Sequence, residues 1–115
     1  MGDDKMAKSK VVEAVRYFEE RLKAKNVSVS KIILFGSHAR GNASTESDVD
    51  IVLISRDFEK KNIYRRLELI KEAEIATIKK FMIPLDIVMM TPEEFKNGSS
   101  LVSEFAKNGK VLTAA

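Results

Sequence analysis

Two apolar runs separated by a polar loop constrain this chain more than any other feature of its sequence. The first run, Lys31 to Phe35, ends in Gly36-Ser37, and the second opens with Asp48 and Asp50. Residues i and i+2 of a strand project from the same face, so the two aspartates are predicted to lie side by side at the start of a strand. Neighbouring carboxylates repel each other, and a cation between them relieves that cost. The pattern therefore favours a metal site over its alternative, a pair of turn aspartates that cap loop residues.

The Gly-Ser turn before the loop is suited to a phosphate group. Mg²⁺ usually takes one or two carboxylates together with substrate phosphates. Gly36 allows the backbone to approach an anion closely, and a helical turn starting at Ser37 would aim free N–H groups at it. Arg40 could add a charge-assisted contact with the phosphates. The structural alternatives are a simple N-cap for Ser37 and a surface position for Arg40.

Asp86 is the third candidate ligand. It stands between Leu85 and Ile87 in an apolar run, where an unpaired carboxylate is expensive to bury. We expect a buried position, because parallel strands bury their middles. The alternative is an aspartate on an edge strand that points to water. The single histidine, His38, is assigned no catalytic role.

Hydrophobic periodicity predicts three strands and two long helices. The strands cover residues 31–35, 48–54 and 85–89. The helix over 6–25 has one apolar stripe, and the helix over 61–81 is predicted to bury a stripe that begins with Ile63, Leu67 and Ile70. A strand, a long helix and a strand form a right-handed crossover, so strands two and three should be parallel. The short link between strands one and two favours an antiparallel pair.

The C-terminal part is predicted to contain two short helices and an edge strand. Thr91-Pro92-Glu93-Glu94 has the cap, the proline and the glutamate of a helix start. A second helix is predicted to begin at Ser100, and residues 110–113 are predicted to form the edge strand. The expected fold class is α/β (α+β): a single domain over residues 1–115, with a three-stranded mixed sheet as its core and helices mainly on one face.

Composition excludes several classes of protein. The 115 residues suffice for one domain with a modest core. The absence of cysteine excludes disulfides and thiolate zinc sites. The apolar runs are too short to cross a membrane and the N-terminus lacks a signal peptide, so we expect a cytoplasmic protein. A net charge of +3, with Lys and Glu interspersed, argues against direct binding to nucleic acid.

The same residues support a family resemblance. Gly36-Ser37, ten further residues and Asp48-x-Asp50, with a third carboxylate downstream, resemble the signature of the DNA polymerase β-like nucleotidyltransferase superfamily. The segments GSHARG and SDVDIVL look like its small prokaryotic branch, the minimal nucleotidyltransferases. Those proteins are the antitoxins of two-gene systems whose toxin carries a HEPN domain.

The resemblance implies a nucleotidyltransferase fold and a two-metal reaction. Asp48, Asp50 and Asp86 would be the catalytic and metal-binding residues for two Mg²⁺ ions, and Gly36, Ser37 and Arg40 would bind the nucleotide. The substrate would be ATP, and the product an AMP group on a tyrosine of the HEPN-domain toxin. Two other functions stay open: a non-catalytic module that neutralises its partner by binding it, and a transferase for a small molecule of the aminoglycoside type. We also expect association with a partner or with a second copy, because few helices on a small sheet leave apolar surface exposed.

Overall fold

The apolar runs of the sequence form the strands of one mixed sheet. In the computed structural model, which describes residues 2–36, 48–98 and 109–114, the strands are β1 (Lys31–Phe35), β2 (Val49–Ile54), β3 (Leu85–Met90) and β4 (Lys110–Ala114). Their order in the sheet is β3-β2-β1-β4. β1 runs antiparallel to β2 and to β4, whereas β2 and β3 are parallel. The predicted strand directions are confirmed. The predicted edge strand is β4, which pairs with the second edge of β1 and extends the three-stranded core to four strands.

Three α-helices accompany the sheet: α1 (Gly2–Ala24), α2 (Ile63–Phe81) and α3 (Pro92–Lys96). The side chain of Asn62 caps α2 by accepting a hydrogen bond from the Arg65 N–H, and Met82 ends the helix in the left-handed conformation. At the start of α3, the hydroxyl of Thr91 and the carboxylate of Glu94 form the predicted capping box. A short 3-10 helix, Arg56–Phe58, follows β2.

One face of the sheet carries the main core. Alternate residues of β1 and β2, such as Ile32 and Ile51, point into it and are fully buried. The predicted apolar stripe of α1 packs against them, with Phe18 at its centre. α2 adds Ile70 and its neighbours on the same side. The expectation that the helices lie mainly on one face is therefore confirmed.

The opposite face carries a smaller apolar cluster. Ile33, Val52 and Ile54 are buried there, and Phe95 of α3 packs against them. Val88 and Met90 of β3 border the same cluster. The helix predicted from Ser100 lies outside the described residues. No helix in the described ranges is long and apolar enough to cross a membrane.

The buried face of α2 differs from the prediction in its first two turns. Ile70, Ala73 and Thr77 are buried as expected. Ile63 and Leu67 are not buried, since 58% and 42% of their surface is exposed. The physical reason is the position of the helix near β3, which is an edge strand. None of the described strands lies beyond β3 to cover the outer flank of α2.

Candidate functional site

Strand register brings two of the predicted carboxylates together. Asp50 lies opposite Phe35 of β1 and opposite Asp86 of β3. Because Asp50 and Asp86 occupy one row of a parallel pair, their side chains leave the same face of the sheet. Neighbouring strands are about 4.8 Å apart, so the backbone positions that carry the two carboxylates are adjacent. The face is the one opposite α1 and α2, where the sheet is less covered.

Gly36 lies directly against the Asp50 carboxylate. A Cβ atom placed on Gly36 would be 3.2 Å from Asp50 Cγ and would overlap Asp50 Oδ2. The backbone of Gly36 also has a φ of +74°, which side-chain-bearing residues rarely adopt. Two independent constraints therefore require glycine here. The end of β1, where a phosphate is expected, therefore lies directly beside the Asp50 carboxylate.

Asp48 lies one residue before β2 and is exposed. It lies two residues before Asp50, so it belongs to the same side of the sheet. Within the described residues, no three His, Cys, Asp or Glu side chains converge closely enough to hold a metal ion. The structure thus assembles a two-carboxylate arrangement from Asp50 and Asp86, with Asp48 at its margin. This donor set fits Mg²⁺, which completes its shell with water and substrate phosphates.

Asp86 is exposed, which corrects the expectation that its strand buries it. β3 is the edge of the sheet, and its apolar residues are only partly buried. The cost of burying a charge therefore gives no reason to assign Asp86 a function. Its position opposite Asp50 gives that reason instead.

Glu74 of α2 is a fourth acidic residue near this site, and sequence reasoning missed it. Partial burial raises the pKa of Glu74, and the negative charge of Asp86 raises it further. The influence of Asp86 shows that the helix brings this side chain toward the start of β3. No local pattern marks Glu74, because only the return of the chain from α2 to β3 brings it near Asp86.

The other predicted nucleotide-binding residues lie outside the described residues. This applies to Ser37 and Arg40, and also to His38, which was assigned no role. Their contribution stays a prediction.

Arg66 of α2 forms a hydrogen-bond network at the other end of β3. Its guanidinium donates to both carboxylate oxygens of Glu94, at 2.7 and 2.9 Å, and to the Met89 carbonyl at 3.3 Å. It also donates to the Lys61 carbonyl at 2.8 Å and lies over the Phe58 ring. This hydrogen bonding raises the pKa of Arg66 and lowers the pKa of Glu94.

An open cavity of about 460 Å³ adjoins this network and is bordered by Lys60, Thr91 and Asn97. It lies at the opposite end of β3 from Asp86, so it is separate from the carboxylate site.

A small mixed sheet with helices mainly on one face, and with carboxylates in register on two parallel strands, is an α/β architecture shared with nucleotidyltransferase folds. The chain belongs to the nucleotidyltransferase domain family, whose sequence model matches residues 15–112.

Two proteins of Methanocaldococcus jannaschii are similar in sequence. One carries the provisional name protein adenylyltransferase MJ0604 and is 46% identical over 43 residues, which is 36% of this chain and 43% of that protein. The other carries the provisional name protein adenylyltransferase MJ1305 and is 33% identical over 63 residues, 55% of this chain and 42% of that protein. The matched segments thus span less than half the length of each relative.

Solved structures share the fold at low sequence identity. A provisionally assigned nucleotidyltransferase from Sulfolobus solfataricus has a TM-score of 0.66 at 15% identity, over 95% of this chain and 85% of that one. A toxin-antitoxin structure with AMP-PNP has a TM-score of 0.57 at 20% identity, over 94% and 73%. A mutant of the toxin-antitoxin MntA-HpeT has a TM-score of 0.54 at 18% identity, over 83% and 69%.

Proposed function

We propose that this chain is a Mg²⁺-dependent nucleotidyltransferase that moves AMP from ATP to a hydroxyl group of a partner protein. In this proposal the chain is the antitoxin of a two-gene system, and the acceptor is a tyrosine of a HEPN-domain toxin. One observation carries the proposal: Asp50 and Asp86 face each other across β2 and β3, with the backbone of Gly36 against Asp50. Carboxylates beside a glycine turn are what a metal-bound triphosphate requires.

The similar proteins support the same kind of reaction. Both archaeal relatives are named as protein adenylyltransferases, and one structural neighbour is a toxin-antitoxin solved with AMP-PNP. The first point favours a protein acceptor, and the second favours an adenine nucleotide and a toxin as partner.

The site residues have two kinds of role in this proposal, which are holding the metal and binding the phosphates. Asp48, Asp50 and Asp86 would hold Mg²⁺, which when bound neutralises charge on the triphosphate and on the leaving pyrophosphate. Gly36 gives the phosphate chain access to the backbone beside Asp50, and Ser37 and Arg40 would bind the phosphate oxygens.

The reaction is a single displacement at the α-phosphorus. The acceptor oxygen forms a bond to the α-phosphorus, the bond from that phosphorus to the bridging oxygen breaks, and pyrophosphate leaves. The hydroxyl proton passes to the carboxylate of Asp86. Because Asp86 is exposed, it can pass that proton on to water.

Labelled ATP tests this proposal. The chain is incubated with a co-purified HEPN-domain partner and with ATP labelled at either the α- or the γ-phosphate. We expect label from the α-phosphate on the partner and none from the γ-phosphate, and we expect no transfer by Asp50→Asn. Label from the γ-phosphate would indicate a kinase. A tightly bound but unlabelled partner would indicate a non-catalytic binding module.

A further inference from the structure

The exposed apolar side chains of this protein are concentrated on one helix. Among the described residues, the exposed large apolar side chains other than Val111 lie on α2 or at its C-cap. We call Ile63, Leu67, Ile75 and Met82, together with the lysine Lys71 between them, the α2 stripe. Met82 is 79% exposed and Ile63 is 58% exposed. Exposed apolar surface concentrated in this way marks an interaction site.

The α2 stripe lies away from the helix that packs on α2. At 100° per residue its members fall within a sector of about 120°. The ion pairs with α1 come from the other side of the helix: Glu72, about 180° from Ile63 by the same count, pairs with Arg21 and Lys25. α1 therefore cannot cover the stripe without giving up these contacts.

The α2 stripe ends at the candidate site. From Ile63 to Met82 it is about 28 Å long at 1.5 Å per residue. Its last member caps the helix, and the chain then enters β3, where Asp86 is the second residue. A molecule lying along the stripe would reach the facing carboxylates at its end.

We propose that the α2 stripe is the docking surface for the acceptor protein, and that its occupant is an amphipathic helix of that protein. This inference rests on the proposed function, which requires a partner hydroxyl beside Asp50 and Asp86. An apolar strip that covers a sector of about 120° over about five turns matches the apolar face of another helix. Because Lys71 lies within the stripe, the partner helix is expected to place a carboxylate opposite it.

Lys71 argues against a second copy of the chain as the occupant. In a two-fold packing of α2 against itself, the axis would pass near the middle of the stripe, between residues 72 and 73. The two Lys71 residues would then be about 5 Å apart along the helix axis. Two like charges in an otherwise apolar interface are unfavourable, whereas a partner with an acidic residue there is favoured.

Three charge variants on one helix test the inference. Lys71→Glu and Ile75→Glu change the stripe, whereas Arg65→Glu makes the same charge change as Lys71→Glu at an exposed position on the far side of α2. The affinity for the HEPN-domain partner is measured by titration calorimetry, and folding is checked by thermal melting. We expect each stripe variant to bind at least about tenfold more weakly, and the Arg65→Glu variant to bind within about twofold of the wild type.

Three results would overturn the inference. These are equal binding by all three variants, no binding by the wild type, and a wild-type dimer that only the stripe variants dissociate. AMP transfer is recorded separately for each protein. Binding through the stripe without AMP transfer would refute the proposed function but leave the docking surface in place. If the stripe variants transfer AMP as well as the wild type does, the docking surface is refuted and the proposed function stands.

Discussion

Replacing Gly36 by alanine should lower both the stability of the fold and the rate of AMP transfer. The φ of +74° costs a residue with a side chain about 1–2 kcal/mol. The new Cβ would also overlap Asp50 Oδ2, so the carboxylate must rotate away at a cost of about 0.5–1.5 kcal/mol. The sum, about 1.5–3.5 kcal/mol, corresponds to a fall in Tm of about 6–14 °C for a domain of this size. The transfer rate should fall about 100-fold, because displacing a reacting group by about 1 Å has that effect.

A double-mutant cycle isolates the contact between Gly36 and Asp50. The free energy of unfolding is measured by urea denaturation for the wild type, Gly36→Ala, Asp50→Ala and the double variant. In the Asp50→Ala background the overlapping carboxylate is absent, so Gly36→Ala should cost only the backbone term. The expected coupling is therefore about 0.5–1.5 kcal/mol. Zero coupling, or a Gly36→Ala variant with wild-type stability and activity, would refute the reasoning.

The carboxylate pair and the Arg66 network give two further predictions. Asp48→Asn and Asp50→Asn each remove one negative charge, so each variant should melt at or above the wild-type temperature without metal. Mg²⁺-ATP should not stabilise either variant. It should stabilise the wild type by about 2.7 kcal/mol when its concentration is a hundredfold above Kd. Thermal melts with and without Mg²⁺-ATP check this. The aspartates would have a structural role if both variants melt well below the wild type without ligand and Mg²⁺-ATP does not stabilise the wild type. Arg66→Lys should lose about 1 kcal/mol, because lysine cannot reproduce the paired hydrogen bonds to Glu94. Since Arg66 lowers the pKa of Glu94, this contribution is present above the unfolded glutamate pKa of about 4.3 and is lost as the pH falls through the lower folded value. Urea denaturation between pH 3 and pH 7 should therefore show a smaller difference between wild type and Arg66→Lys at the acidic end, and a constant difference would contradict this assignment.

The strands and their directions could be predicted because they depend on local pattern and on chain geometry. Apolar runs marked β1, β2 and β3 to within a residue or so. The long helix between β2 and β3 required a parallel pair, and the register of that pair brings Asp50 opposite Asp86.

Features that depend on the edges of the sheet could not be predicted in the same way. Ile63 and Leu67 have the period of buried residues, yet they flank an edge strand and stay exposed. Asp86 is exposed for the same reason. The proximity of Glu74 to Asp86 depends on how α2 lies against β3, and no local sequence signal records that. Gly36 was predicted for its access to phosphate, whereas its contact with Asp50 required the pairing of β1 with β2.

The central claim is that the carboxylates of β2 and β3 carry out AMP transfer to a partner protein. Intact-mass spectrometry of the HEPN-domain partner, co-expressed with the wild type or with Asp50→Asn, tests it most directly. We expect a partner heavier by one or more AMP units with the wild type, and an unmodified partner with Asp50→Asn. An unmodified partner in both samples, or the same modification in both, would contradict it.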